Sequence, residues 1–165
     1  MKIARITLSD RAASGVYEDL SGPEIERVIG ELFEEQLEWH RVLLPDEQSQ
    51  IESALIDLAD RERCPLILTT GGTGPSRRDV TPQATRNVLE KELPGFGELM
   101  RMRGYEFVKT SILSCATAGV RGESLIVNLP GRPTAIAESL PPLIPAIAEA
   151  LAHITGTRPK IAPVK

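Results

Sequence analysis

One stretch of the sequence, residues 66–82, reads LILTTGGTGPSRRDVTP. Its first five residues are apolar or threonine, which is typical of a short strand buried in a parallel sheet. At its end, Thr81 and Pro82 favour the start of a helix, with threonine as the cap and proline in the first turn. The glycines between them have no Cβ, so a ligand can approach their backbone N–H groups closely. The stretch therefore predicts a strand, a ligand-binding loop and a helix in succession.

Strand and helix patterns alternate along the rest of the 165-residue chain. The predicted strands are residues 3–8, 38–44, 66–70 and 124–129. The predicted helices are residues 24–35, 48–60, 81–91, 96–108 and 133–154, the last interrupted near Pro141, Pro142 and Pro145. This alternation is typical of one α/β domain, residues 1–165, with three α/β/α layers and a mostly parallel sheet. Residues 157–165 are expected to form a loose tail.

Polar, acidic and glycine-rich residues follow each predicted strand. In chain order they are Ser9, Asp10, Arg11 and Ser14, then Asp46, then the glycine loop of residues 70–76 with Asp79, and last Asn128, Pro130 and Gly131. In parallel sheets, ligands bind beyond the carboxyl ends of the strands. We therefore expect these residues to converge on one cleft.

Each of these features also has a structural interpretation. The glycine loop is not a P-loop, because it has no lysine, and it lacks the third glycine of a dinucleotide-binding fingerprint; it would also suit a plain turn. Asp46 precedes a helix and would cap it. Asp79 would stabilise the N-terminus of the helix that begins at Thr81. Residues 128–133 would form an ordinary proline-rich turn.

The two aspartates point to a specific chemistry when they are taken as a pair. Neighbouring carboxylates repel each other, and one of them tends to stay protonated unless a cation lies between them. Proteins hold Mg²⁺ through one or two carboxylates together with substrate phosphates. The glycine loop and the adjacent Arg77 and Arg78 suit those phosphates. The sequence therefore favours a magnesium site at Asp46 and Asp79 that takes a phosphorylated ligand.

Composition argues against several other classes of protein. The formal net charge of −4 gives no general basic field for nucleic acid. We expect neither a signal peptide nor an apolar run of about 20 residues that would cross a membrane. Cys64 and Cys115 lack metal-type spacing, and two reduced thiols favour a cytoplasmic protein. His40 and His153 have no metal-like neighbours in the sequence and are expected to be structural or surface residues.

Four segments together resemble the MogA family of molybdopterin adenylyltransferases. They are TTGGTGPSRRDVTPQAT at 69–85, LPDEQ at 44–48, LPGFGE at 93–98 and NLPG at 128–131. The similarity extends from Ile6 to about Leu140. The GGTG motif alone is shared with MoaB-like proteins and with a domain of the molybdenum-inserting enzymes, so it is the combination that is specific.

The resemblance implies transfer of AMP from Mg-ATP to the terminal phosphate of molybdopterin, with release of pyrophosphate, in molybdenum cofactor biosynthesis. The family's essential aspartate falls on Asp79 and a second acidic residue on Asp46, as catalytic and metal-binding residues. The nucleotide is expected at Thr70, Gly71, Gly72, Thr73, Gly74 and Ser76. Molybdopterin is expected at Ser9, Asp10, Arg11, Ser14, Ser114, Asn128, Pro130 and Gly131. The resemblance also implies a homotrimer, with a molybdenum-inserting enzyme as a downstream partner.

Two other functions fit the same fold. One is a MoaB-like protein that binds or carries molybdopterin without transferring AMP, although the presence of both aspartates argues against it. The other is an enzyme that inserts the metal in the same cleft. The sequence also departs from the family, because Cys115 stands where a basic residue often follows the serine at 114. The C-terminal part is shorter than in some members.

Overall fold

A single six-stranded sheet forms the centre of the computed structural model, which describes residues 1–162. The strands are β1 Lys2–Leu8, β2 Glu38–Leu44, β3 Leu66–Thr70, β4 Lys91–Glu92, β5 Ala118–Arg121 and β6 Ser124–Leu129. Their order across the sheet is β2-β1-β3-β6-β5-β4. The first four strands in this order are parallel, and β5 and β4 are antiparallel additions at one edge. The expectation of a mostly parallel sheet is confirmed.

The described residues 1–162 form six α-helices, five of which cover the two faces of the sheet. The six helices are α1 Asp10–Ala13, α2 Ser21–Leu32, α3 Gln48–Ile56, α4 Thr81–Val88, α5 Gly95–Phe107 and α6 Pro133–Thr155. A π-helical turn, Asp57–Arg61, extends α3, and a 3₁₀ turn, Lys109–Leu113, follows α5. One apolar core joins α2, α5 and α6 to the sheet, and a second joins α3 and α4 to its opposite face. The predicted three layers are therefore present.

The alternation of side chains along the strands explains the two cores. Ile3 of β1 packs in the core beneath α2 and α6, whereas Ala4 and Ile6 pack in the core beneath α3 and α4. All residues of β3 and β6 are buried. A strand that is covered on both faces reads as a nearly continuous apolar run, which is why both strands could be predicted from the sequence.

The register of the parallel strands brings their carboxyl ends level. Leu8 of β1 pairs with Leu44 of β2, and Thr7 pairs with Thr70 of β3. Thr70 pairs in turn with Leu129 of β6. The loops that follow these four strands therefore leave the sheet side by side at one edge, which we call the carboxyl edge. The predicted convergence of the strand ends is confirmed.

Helix α6 differs from the prediction because it runs without interruption through Pro141, Pro142 and Pro145. Each interior proline removes a backbone hydrogen bond and costs about 3 kcal/mol in an unsupported helix. Tertiary packing offsets this cost, since one side of α6 is buried in the core through Ile136, Leu140, Leu143, Ile144, Ile147 and Leu151.

By length and composition alone, α6 is also apolar enough to cross a membrane, contrary to the sequence expectation. Its apolar residues pack against α2 and β6, as in the core helix of a globular protein.

The segment 157–162 is not the loose tail that the sequence suggests. The Glu34 N–H donates to Lys160 O at 3.0 Å, and the Ala162 N–H donates to Leu32 O at 2.9 Å. Ile161 forms a β-bridge with Phe33. These contacts fix the segment to the chain that follows α2. The remaining residues of the predicted tail, 163–165, lie outside the described part of the chain.

We expect Ile126→Ala to lower the free energy of unfolding by about 2–5 kcal/mol. Ile126 is fully buried on β6, so its truncation leaves a cavity between the sheet and the α3–α4 layer. Urea denaturation measures the change. The matched control is Leu43→Ala on the edge strand β2, where the side chain is 42% exposed and the expected change is within about 0.5 kcal/mol. Equal losses in the two variants would contradict the assignment of the core.

Candidate active site

The glycine loop passes closely between its neighbours at the carboxyl edge. Gly71 has φ of +95°, and a Cβ there would overlap the carbonyl oxygen of Leu8 at the end of β1. On its other side, the Cβ position of Gly131 lies 3.4 Å from Gly71 Cα. Only glycine combines this conformation with this packing. The role of Gly71 is therefore to bring the loops after β1, β3 and β6 together.

Thr81 fixes the far end of the glycine loop. It is the first residue of α4 and not the N-cap that the sequence predicts. Its hydroxyl donates to Gly71 O at 2.9 Å, and its N–H donates to Gly72 O at 3.2 Å. Thr81 thus connects α4 to the glycine loop through two hydrogen bonds. The position of α4 therefore determines the shape of the loop.

Asp46 does not cap α3, so the structural interpretation of this residue is wrong. The cap position belongs to Glu47, and the Asp46 carboxylate turns instead towards Asp10. The Asp10 N–H donates to Asp46 Oδ2 at 3.1 Å, and the Asp46 N–H donates to Asp10 Oδ1 at 2.9 Å. The other oxygen, Asp46 Oδ1, is buried and has no hydrogen-bond partner among residues 1–162. It lies 2.9 Å from the Cβ position of Gly72, so it faces the glycine loop.

Asp79 borders the same loop from the other end. Its Oδ2 accepts a hydrogen bond from the Ser76 N–H at 3.0 Å, so this carboxylate holds the turn before α4. The same oxygen lies 2.8 Å from the Cβ position of Gly74. Asp46 and Asp79 therefore face Gly72 and Gly74, two residues apart in one loop.

The charges around Asp46 oppose its ionisation. Burial raises the pKa of Asp46 above its usual range, and the negative charges of Asp10 and Asp79 raise it further. The hydrogen bond from the Asp10 backbone and the positive charge of Arg78 act in the opposite direction. By contrast, the hydrogen bonds from Arg78 lower the pKa of Asp10. Arg78 therefore stabilises the negative charge of the Asp10 carboxylate. The charge of the Asp46 carboxylate has no comparable stabilisation.

A divalent cation would supply the charge that Asp46 lacks. Within residues 1–162 no group of three or more His, Cys, Asp or Glu side chains is arranged to hold a metal. Mg²⁺ needs fewer, since it takes one or two carboxylates and completes its shell with water and substrate phosphates. The buried oxygen of Asp46, with Asp79 across the loop, fits such an ion.

A cleft of about 370 Å³ opens beside the glycine loop. The loop contributes Thr73, Gly74 and Pro75 to its wall, and the turn after β6 contributes Pro130, Gly131 and Arg132. Apolar side chains from α5 and the segment after it form the opposite wall, among them Met100, Val108 and Leu113. The cleft combines an apolar wall with backbone groups at the carboxyl edge, which is typical of small-molecule sites.

The first turn of α6 also borders the cleft, through Ala135. The N-cap residue is Arg132, and no side chain of the described chain caps this helix. Its first N–H groups are therefore available to an anion.

The sequence matches that of a protein family described as "probable molybdopterin binding domain" over residues 4–149. The chain belongs to this family of molybdopterin-binding domains. A protein of Helicobacter pylori J99 named molybdopterin adenylyltransferase is 50% identical over 154 residues, which are 93% of this chain and 88% of that protein. The Escherichia coli K12 protein of the same name is 48% identical over 140 residues, 85% of this chain and 72% of its own.

Solved structures of this family have the same architecture. The molybdopterin biosynthesis enzyme MoaB of Thermus thermophilus superposes with a TM-score of 0.87 at 41% identity, covering 96% of this chain and 99% of that one. MoaB-like and MogA-like proteins thus share this molybdopterin-binding fold.

Two predicted contact residues of this molybdopterin-binding domain are internal. Asn128 is fully buried, and its side-chain amide donates to Thr69 Oγ1 at 3.0 Å and to Thr85 Oγ1 at 2.8 Å. Thr70 is also fully buried, and its hydroxyl donates to Pro130 O at 2.7 Å. Their side chains join strands and loops beneath the site, and contact of these residues with molybdopterin or nucleotide stays a prediction.

The segment after β1 divides between two roles. Asp10 belongs to the acidic group, as described above. Ser9 Oγ caps the short helix α1 by accepting from the Ala12 N–H at 3.2 Å. Arg11 lies over the ring of Tyr17, and Ser14 Oγ donates to Arg11 O. Ser114, Pro130 and Gly131 line the cleft, whereas Ser9, Arg11 and Ser14 lie outside its lining. Their contact with molybdopterin stays a prediction.

Two contributors to the site could not be predicted from the sequence. One is the apolar wall from α5, whose residues carry no polar motif that would distinguish them from an ordinary core. The other is the pair of carboxylates, Asp10 and Glu47, that form ion pairs with Arg78. The sequence shows both partners beside predicted site residues, but their pairing depends on the packing of three loops.

We expect Asp46→Asn to raise the free energy of unfolding at neutral pH when divalent cations are chelated. Because the native pKa of Asp46 lies above its ordinary value of 3.8, the native state binds this proton more tightly than the unfolded chain does. The wild type therefore loses stability relative to the variant as the pH rises from 3.8 through the raised native pKa. The carboxylate is partly solvated, so the full difference is at most about 1 kcal/mol.

Urea unfolding of both proteins with a chelator, from acidic to neutral pH, measures this difference. The control is Asp57→Asn, which removes an exposed carboxylate paired with Arg61 and should give no such gain. A difference between wild type and Asp46→Asn that does not vary with pH would contradict the burial argument.

Proposed function

We propose that this protein is a molybdopterin adenylyltransferase of molybdenum cofactor biosynthesis. It transfers AMP from ATP to the terminal phosphate of molybdopterin and releases pyrophosphate. The observation that carries this proposal is the buried oxygen of Asp46, which faces the glycine loop and has no hydrogen-bond partner among residues 1–162. Asp79 lies across the loop, and a cleft opens beside it. The bacterial relatives that are 50% and 48% identical to this chain are named molybdopterin adenylyltransferase, which supports the proposal.

The reaction joins two anions, so the protein must position them and neutralise their charge. An oxygen of the molybdopterin phosphate attacks the α-phosphorus of ATP and forms the new P–O bond. The bond between the α-phosphorus and the bridging oxygen breaks, and its electron pair leaves with pyrophosphate. The attacking phosphate is already ionised at neutral pH, so the site has little need of a general base.

The nucleotide phosphates are proposed to lie along the glycine loop. The Cβ position of Gly72 lies 2.9 Å from the Asp46 carboxylate and that of Gly74 lies 2.8 Å from the Asp79 carboxylate. The backbone N–H groups of Gly72, Thr73 and Gly74 would bind the phosphates beside these carboxylates, with Ser76 at the end of the loop. Asp46 and Asp79 would hold Mg²⁺, which supplies positive charge to the triphosphate and to the leaving pyrophosphate. Asp46 Oδ1 is buried away from bulk water. It has no hydrogen-bond partner among the described residues that would compete with the ion.

Molybdopterin is proposed to occupy the cleft on the other side of the loop. The apolar wall of Met100, Val108 and Leu113 suits the flat pterin ring. Ser114 and Gly131 border the same cleft and offer polar groups to the edge of the ring. The uncapped first turn of α6 suits its anionic phosphate. Thr73 and Gly74 form the wall of this cleft, so the two substrates would meet at the loop.

We expect Asp79→Asn to fold normally and to lower the rate of pyrophosphate release by about 100- to 1,000-fold, since a lost metal ligand removes several kcal/mol of transition-state stabilisation. A coupled pyrophosphate assay with ATP, Mg²⁺ and molybdopterin measures the rate. Molybdopterin binding, followed by fluorescence, should be retained. The matched control is Asp57→Asn on the extension of α3, which should keep the wild-type rate.

Three results of this assay would contradict the proposal. A near wild-type rate in Asp79→Asn would remove the role of that residue. A wild-type protein that binds molybdopterin but releases no pyrophosphate would be a carrier. Pyrophosphate release that requires molybdate would point to metal insertion instead.

We also propose that the protein is a cytoplasmic homotrimer that delivers its product to a molybdenum-inserting enzyme. Cys64 and Cys115 are both free thiols, one buried and one exposed, and burial raises the pKa of Cys64 to about 11. Free thiols suit a reducing compartment. Apolar side chains that are exposed on α5 and the turn after it, and that do not line the molybdopterin cleft, support association of copies; they are Met102, Tyr105, Phe107 and Ile112.

Sedimentation equilibrium is expected to give three times the chain mass of 18.0 kDa. Met102 is 71% exposed on α5, so Met102→Glu should place a charge in the interface and shift the protein towards monomer without unfolding it. Circular dichroism checks the fold of the variant. The control, Glu123→Lys in the turn between β5 and β6, should remain a trimer. A monomeric wild type would contradict the proposal.

A further inference from the structure

The guanidinium of Arg78 joins three loops at the carboxyl edge. Its Nη2 donates to both carboxylate oxygens of Asp10, at 2.8 and 2.7 Å, and its Nε donates to Asp10 Oδ2 at 3.2 Å. Its Nη1 donates to Glu47 Oε1 at 3.0 Å. Asp10 follows β1 and Glu47 follows β2, whereas Arg78 belongs to the segment after β3. One side chain thus links the ends of three neighbouring strands.

Asp10 in turn fixes the carboxylate of Asp46. The two residues exchange hydrogen bonds, each backbone N–H donating to the carboxylate of the other, at 2.9 and 3.1 Å. This exchange occupies Asp46 Oδ2 and leaves Oδ1 turned towards Gly72. The orientation of Asp46 therefore depends on the position of the Asp10 carboxylate, which Arg78 holds from the other side.

The contacts of Arg78 are poorly placed to stabilise the fold as a whole. The side chains of Arg78, Asp10 and Glu47 are 56%, 46% and 50% exposed. Ion pairs at such exposure contribute only about 0–1 kcal/mol, because solvent screens them. Their geometry is nevertheless specific, since the planar guanidinium grips Asp10 with a fork that a single ammonium group cannot reproduce. A specific geometry with little stabilising value suits an orienting role.

We propose that Arg78 is a positioning residue that acts through Asp10 to aim Asp46 Oδ1 at the divalent cation. By occupying both oxygens of Asp10, it also keeps that carboxylate from competing for the ion. The inference rests on the proposed function, in which Asp46 and Asp79 hold Mg²⁺. The inference predicts that replacing Arg78 weakens cation binding, because Asp46 loses its orientation. Electrostatics alone predicts the opposite, because removing a positive charge near the ion would strengthen its binding.

The test is the affinity of the intact protein for Mn²⁺ alone, measured from the electron paramagnetic resonance signal of the free ion. We expect Arg78→Gln to weaken Mn²⁺ binding by about tenfold, the scale found when partners that orient metal ligands are removed. Arg77→Gln is the matched control, because it removes the same charge from the adjacent exposed residue. It should leave the affinity unchanged or slightly higher.

Two further variants and a stability measurement distinguish loss of orientation from loss of charge and from unfolding. Arg78→Lys keeps the charge but loses the fork, so it should also weaken Mn²⁺ binding. The double variant Arg78→Gln/Asp10→Asn should bind Mn²⁺ within about twofold of Arg78→Gln, since both residues act through one path. Thermal midpoints should stay within about 4 °C of the wild type, as expected for exposed ion pairs in a chain of this size.

Some outcomes would overturn the inference. They are Mn²⁺ binding by Arg78→Gln that equals or exceeds the wild type, an equal loss in Arg77→Gln, or a wild type that binds no Mn²⁺. A wild type that binds Mn²⁺ and responds to Arg78→Gln, but releases no pyrophosphate, would overturn the proposed function and leave this inference standing.

Discussion

The level register of the four parallel strands is the constraint on which the site depends. Backbone hydrogen bonds between β2, β1, β3 and β6 place Leu8, Leu44, Thr70 and Leu129 at one edge of the sheet. Residues far apart in sequence are thereby brought within hydrogen-bond distance, as Asp10 and Asp46 show. A shift of one strand by a single residue would turn its buried side chains to the other face. The two apolar cores therefore protect the alignment of the loops.

The site retains an electrostatic imbalance that the rest of the molecule does not relieve. Arg78 compensates Asp10, while Asp46 keeps a buried oxygen without a partner among the described residues. Such an arrangement costs stability in the free protein, and folded proteins tolerate it where a ligand later supplies the missing interaction. The proposed Mg²⁺ ion would relieve this imbalance. Stability and ligand binding are thus opposed at one carboxylate.

The sequence predicted the parts of the fold that repeat a simple pattern. The strands at 3–8, 38–44, 66–70 and 124–129 agree with the structure to within one residue. The apolar runs of β1, β3 and β6 are buried, whereas β2 lies at an edge of the sheet and has no buried residue. The sequence did not predict β4 or β5, since a two-residue edge strand and a four-residue strand that contains glycine carry little pattern. It also divided α6 at its prolines, because packing against the sheet cannot be read from local propensity.

For the site, the sequence indicated which loops meet but not what each side chain does there.

Both ends of the described chain lie at the edge of the sheet opposite the carboxyl edge. The ammonium group of Met1 donates to Gln36 O at 2.6 Å, and the Ala162 N–H donates to Leu32 O, both just before β2 begins. The length of a strand, roughly 20 Å, separates this edge from the cleft. A covalent tether to a bead or to a second enzyme at Met1 or Ala162 would therefore leave the mouth of the cleft unobstructed.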